Sequence, residues 1–230
     1  MHIEDGILGA RACAGWYVAT MAFVVPGVYE IKRRVRQSLS YKPFLAMVGV
    51  AVFVISAMHL PVPVTGSSSS PCGTALAAIL VGPFATAVVS TIVLFFQALF
   101  FGHGGITTIG ANTFSMGICG GLSGYVSWRI LRAVNCPLWL AAGVAGFVGD
   151  LVTYLVAAYE LALSLHGQVP MAKQWIIFVM GYAAMQLPLA VVEAAFTSLV
   201  LTGVLNHRPD LLPQNLVNKK IIEIQAKKEL

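Results

Sequence analysis

The chain begins Met1-His2-Ile3-Glu4-Asp5-Gly6. A free α-amine, the amide nitrogen of residue 2 and the imidazole of His2 can all reach one metal ion. The amine and the amide close a five-membered ring, and the amide and Nδ1 close a six-membered ring. Three nitrogens in fused chelate rings lie nearly in a plane and leave one in-plane position open. Such a field suits Ni(II) or Cu(II), whereas zinc prefers a tetrahedron and magnesium and calcium prefer oxygens. Met1 and His2 are therefore candidate metal ligands; the bland alternative is a disordered, solvated tip. The first basic cluster follows the first apolar run and no cleavage pattern stands out, so no signal peptide is expected. His2 is bulky, which disfavours trimming of the initiator Met, so a free amine is expected. Glu4 and Asp5 either attract a cation or keep the tip wet.

What must position such a tip is a membrane bundle. Of the 230 residues 58% are hydrophobic and only 10% charged, and mean hydropathy is +0.82. Soluble domains carry about 25% charged residues. Apolar runs cover roughly 10–30, 43–60, 74–102, 109–132, 138–164 and 175–204. As one helix, 74–102 would rise about 43 Å, too long for a hydrocarbon core of about 30 Å. Gly82-Pro83 is a natural break, because proline removes a backbone donor and clashes with the preceding turn. The run then reads as a short descending helix followed by a full ascending one.

Charge decides between six spans and seven. Lys32, Arg33, Arg34 and Arg36 put the end of the first span in the cytoplasm. With seven spans, Lys42, Arg129, Arg132, Arg208 and the tail lysines also fall inside, and only Arg11 and Lys173 fall outside. With six the bias is lost. The expected fold is an all-α integral membrane protein, a bundle of seven transmembrane helices with the N-terminus outside and the C-terminus in the cytoplasm. It forms one domain over 1–204 with a cytoplasmic tail, 205–230, in which 215–229 suits a short amphipathic helix. This topology gathers the tip 1–6 and the polar loops 61–73 and 102–112 on the outer face. The basic residues read as topology signals, so no nucleic-acid partner is expected; the lipid bilayer is.

Asp150 and Glu193 sit inside apolar runs, where an ionisable group is costly and a functional candidate by default. They are either proton-relay carboxylates or structural ones bonded to Gln186 or Tyr154, the latter preferred because neither belongs to the outer loops. Glu160, near a span end, is expected to reach water. Gly117, Gly120, Gly121 and Gly124, and Gly15 with Ala19, form small-xxx-small patterns that suit internal packing or docking of a partner. Thr108 and Asn112 are either outer-sphere supports of a metal site or, for Asn112, a helix cap. The four cysteines lack CxxC spacing, so no zinc or disulfide framework is implied. No P-loop, HExxH or GxSxG is present, so ATP hydrolysis by that route and hydrolase chemistry are disfavoured.

Several stretches together resemble the NikM/CbiM family. They are MHIEDGILG at the start, VTGSSSSPCGT (64–74), ALAAILVGPFATAVVSTIVLFFQALFFGHGGITTIGANTFSMG (75–117), FVGDLVTYLV (147–156) and QLPLAVVEAAF (186–196). These are substrate-binding S-components of energy-coupling-factor (ECF) transporters for nickel and cobalt. The resemblance implies a multi-pass protein of a prokaryotic cell membrane that is not an enzyme, needs no cofactor and carries Ni(II) or Co(II) as cargo. It implies a transmembrane coupling protein, ATPase subunits and, as a further candidate, a small accessory membrane subunit. It also implies a planar site of the Met1 amine, the His2 amide and the His2 imidazole, completed by a loop histidine. Here the chain departs. The matching stretch, Ser67–Ser70, holds no histidine, and the position just before Pro71 is Ser70. The fourth position is then water, or another histidine, with His59 and His103 the nearest candidates, or the form is altered. Nickel is the expected cargo and cobalt the alternative. The rival from another class is a proton-coupled secondary transporter using Asp150 and Glu193; a further one is a non-transporting scaffold.

Overall fold

The computed structural model describes residues 2–58, 60–62, 67–165 and 167–207, with backbone alone at 60–62, 67 and 68. Met1, His59 and most of the proposed tail lie outside the described residues. Among the described residues there are seven helices: α1 (Ala10–Gln37), α2 (Tyr41–Ala57), α3 (Thr74–Val81), α4 (Pro83–Phe101), a composite fifth, α7 (Leu138–Leu165) and α8 (Met171–His207). The composite runs without a break from α5 (Ile109–Asn112) through a π-helical segment (Thr113–Gly120) into α6 (Gly121–Ala133). Helices satisfy their own backbone groups, which is what a hydrocarbon solvent requires. By length and composition α1, α4, α7 and α8 are each able to cross a membrane.

The break at Gly82-Pro83 is where the sequence puts it. Gly82 has φ +90° and Pro83 starts α4, where its missing N–H costs nothing. At only eight residues α3 rises about 12 Å. It does not cross alone, and the polar loop 67–73 descends into the bundle ahead of it. Every residue of α3 is buried. Its last carbonyl, on Val81, accepts from Arg34 Nη1 at 2.7 Å, and Arg34 is also paired with Glu30. Arg34 thus closes a helix end.

The helical reading holds, with one addition. A small antiparallel sheet of order β1-β3-β2 joins β1 (His2–Ile3), β3 (Ser67–Ser69) and β2 (Leu60–Val62). Strands of two and three residues carry no periodic signal, so the sequence does not announce them. His2 pairs with Ser68 and Ile3 with Ser67, which ties the tip to the serine loop. Below the tip, Ile3 and Leu8 pack with Cys13, Ala111, Tyr154, Ala157, Leu161 and Tyr182. The main core lies between α2, α3, α4, α6, α7 and α8.

The small residues of the fifth helix serve this internal packing. A Cβ on Gly117 would meet Ser90, one on Gly121 would press on Thr86, and one on Gly124 would meet Ala75 and the Ala145 carbonyl. Gly15 has nothing beside it. The four cysteines are free. Glu160 is fully buried, contrary to the expectation that it reaches water: α7 continues past it to Leu165, and its side chain faces inward.

Candidate metal centre

His2 is completely buried although it stands at the head of the chain. Gln97 and Ser70 both bond its ring. Nε2 lies 3.1 Å from Gln97 Oε1, and Nδ1 lies 3.3 Å from Ser70 Oγ. Gln97 is the only amide in α4, and its Nε2 donates to the Phe53 carbonyl at 3.2 Å and to Ser56 Oγ at 2.8 Å. A carbonyl can only accept, so the amide nitrogen of Gln97 is identified and its oxygen must face His2. His2 Nε2 therefore carries the proton. Nδ1 is left with its lone pair aimed at Ser70, the tautomer a metal needs.

The distance to Ser70 carries further information. Two donors at right angles on one ion, each about 2 Å from it, stand about 2.9 Å apart, and opposite donors about 4 Å. At 3.3 Å, Ser70 Oγ sits near the position beside Nδ1, a few tenths of an ångström from a coordinating separation. His103 stands beside the same ring. Its ring centroid is 4.0 Å from that of His2 with planes tilted by 43°. His59 falls outside the described residues, and of Ser67 only the backbone pairing is described.

The residue after His2 is clamped. Asn112 Oδ1 accepts the Ile3 N–H at 2.8 Å, and Asn112 Nδ2 donates to the Ile3 carbonyl at 3.0 Å. Thr108 Oγ1 donates to the same carbonyl at 2.6 Å. Both residues support the tip. The capping alternative for Asn112 fails because it lies inside the helix, its own N–H bonded to the Thr108 carbonyl. The GHGG loop is shaped to admit the tip. Gly104 has φ +75°, and a Cβ there would crowd Asn112 and His2; a Cβ on Gly105 would overlap Asp5. Asp5 accepts from the Ile106 and Thr107 amides and the Thr107 hydroxyl. The Thr107 hydroxyl foremost holds its carboxyl below the usual carboxylate range; burial opposes it, and the Thr107 and Ile106 amides add to the lowering. A lowered pKa means the ionised form is favoured in the docked tip. That contribution is present above the ordinary carboxylate range and is lost as pH falls through the lowered value.

The loop carrying Ser70 is fixed from behind. Glu193 accepts the backbone N–H of Cys72 and, at 2.9 Å, that of Gly73. Ser69 Oγ donates to Gln186 Oε1, and Gln186 Nε2 donates to Asp150 Oδ2 at 2.6 Å. Cys72 Sγ is 3.5 Å from Asp150 Oδ1. The bond from Asp150 to Gln186 agrees with the structural reading, whereas Tyr154 bonds the Val179 carbonyl instead. One premise of that reading is corrected: both carboxylates touch loop 61–73, because the loop dips into the bundle to meet them. Sequence reasoning missed Gln97, whose signal is a lone amide in the run VLFFQALFF, and Ser69.

Residues 2–211 match the family model described as the cobalt uptake substrate-specific transmembrane region. A protein from Sorangium cellulosum named cobalt transport protein CbiM is 40% identical over 212 residues, covering 92% of this chain and 94% of its own. A protein of the same name from Geobacter sulfurreducens is also 40% identical over 212 residues but longer, and this chain spans 61% of it. The crystal structure of a truncated transition metal transporter superposes with a TM-score of 0.78 at 29% identity, covering 90% of this chain and 99% of that one.

Proposed function

The chain belongs to the CbiM family of cobalt uptake substrate-specific transmembrane proteins, a transport component and not an enzyme, and from that premise we propose that it captures its metal at the His2–Ser70 centre. The observation that carries this reading is a fully buried His2 at the head of the chain, with Nδ1 3.3 Å from Ser70 Oγ. In the proposed site the Met1 amine, the His2 amide and Nδ1 supply three in-plane nitrogens. The Ser70 hydroxyl, directly or through a water it holds, supplies an oxygen in the fourth position. Asn112 and Thr108 keep the tip in place, and Gln97 keeps Nδ1 unprotonated. Ligand deprotonation makes binding release protons and weaken at low pH.

Co(II) is the cargo in this reading. An oxygen in place of the family's loop imidazole gives a weaker planar field, which removes part of the advantage the three nitrogens give to planar Ni(II). Ni(II) is the second reading, carried by those three nitrogens. The site opens to the outer face of a prokaryotic cell membrane, with the N-terminus outside and the C-terminus in the cytoplasm. The clustering of Lys32, Arg33 and Arg36 in the last turns of α1 and of Lys42 in the first turn of α2 supports that orientation. An ECF-type coupling protein and ATPase subunits then supply the energy for inward release, since the chain has no phosphate-binding loop of its own. Calorimetric titration of the purified full chain with Co(II) and with Ni(II) tests the site. One metal per chain is expected, lost in His2→Ala and lost again when the α-amine is acetylated. Unchanged binding after acetylation would overturn the proposal.

A further inference from the structure

A cleft of about 780 Å³ opens on the membrane face between α1, α2 and α4. The first two helices touch little, and α4 forms the floor. The walls are apolar: Val50, Ile92, Phe96 and Phe100 line it and are 42–67% exposed. Among the described residues its only polar lining ones are Lys32 and Lys42, both exposed and both at the same end, and none of the lining is acidic. We infer that this cleft is a binding site for an anionic phospholipid, with an acyl chain along the groove and the phosphate between Lys32 and Lys42.

Length favours a lipid over a partner helix. From Lys42 to Phe53, the lining of α2 rises about 16 Å, and from Val88 to Phe100 that of α4 rises about 18 Å. That is about half of a 30 Å hydrocarbon core, the depth of one leaflet, whereas a crossing helix would need the whole of it. Charge favours an anionic headgroup over a zwitterionic one. Two ammonium groups stand at the mouth, and Arg33 and Arg36 lie just beyond, with no carboxylate in the lining to neutralise them. Each lysine near an anionic headgroup strengthens binding roughly fivefold.

The test uses the full chain, extracted in mild detergent from membranes of equal parts phosphatidylglycerol and phosphatidylethanolamine, with bound lipid read by native mass spectrometry. The wild type should retain phosphatidylglycerol in preference. Each of Lys32→Gln and Lys42→Gln should lower that preference roughly fivefold, and Ala46→Trp, an exposed wall position, should expel both lipids. A wild type that retains no lipid, or a double lysine variant that keeps the preference, overturns the inference. A photoreactive residue at Val50 separates the occupants in native membranes. Adducts of phospholipid mass support the lipid, and adducts to a protein overturn it in favour of a partner helix.

Discussion

Two clusters of metal-ligating side chains lie within one loop of each other, and they are built to opposite ends. On the tip side stand His2, His103 and Ser70. Behind the loop stand Cys72, Asp150 and Glu193, all buried, with ligating atoms within 4.8 Å of one another. By composition the second is the richer metal site. By hydrogen bonding it is the poorer one. Glu193 is committed to two backbone amides and Asp150 to Gln186 and Cys72, so both carboxylates hold the loop. At His2, Gln97 takes the protonated nitrogen and the other nitrogen faces the Ser70 hydroxyl. On the proposed reading the metal binds where His2 Nδ1 faces Ser70, and the acids behind the loop act as a brace.

That contrast can be broken at its strongest point first. Glu193→Ala removes the acceptor of two buried amides and should destabilise the detergent-solubilised protein by roughly 2–5 kcal/mol, read as thermal unfolding; unchanged stability would end the brace interpretation. Gln97→Leu leaves the fold largely intact but frees the tautomer of His2. Co(II) affinity should fall roughly 10–100-fold, the usual cost of losing such an outer partner, and a calorimetric isotherm like that of the wild type would refute the role. The smallest effect is the sharpest discriminator. Cys72→Ser should change metal affinity by less than about twofold, as expected for a site that shares no donor with the metal; a tenfold loss would move the centre to the acid cluster.

The helices were legible because hydrocarbon thickness and proline chemistry leave little choice: Gly82-Pro83 had to interrupt a run too long for one span. The convergence of tip and loops was legible from charge, because seven spans put residues 1–6, 61–73 and 102–112 on one face, and the pairing of His2 with Ser68 and of Asp5 with Thr107 joins them. Thr108 and Asn112 were legible as supports, though their target, the backbone of Ile3, was not. Gln97 was not read, because a single amide in an apolar helix has no periodicity to reveal it. Arg34 was read only as a topology signal, since its bond to the Val81 carbonyl depends on where α3 ends. The three-stranded sheet escaped for a related reason: its strands are set by the partner they meet, not by a pattern of their own.

The most direct test of the centre is the substitution Ser70→His, with Ni(II) and Co(II) affinities measured by calorimetry beside the wild type and the Ni(II) spectrum recorded. If Ser70 Oγ stands at the fourth in-plane position, an imidazole there tightens nickel more than cobalt and the bound nickel shows the absorption of a planar four-nitrogen site. Affinities and spectrum unchanged from the wild type would contradict the account, because they would place the metal somewhere other than between His2 and Ser70.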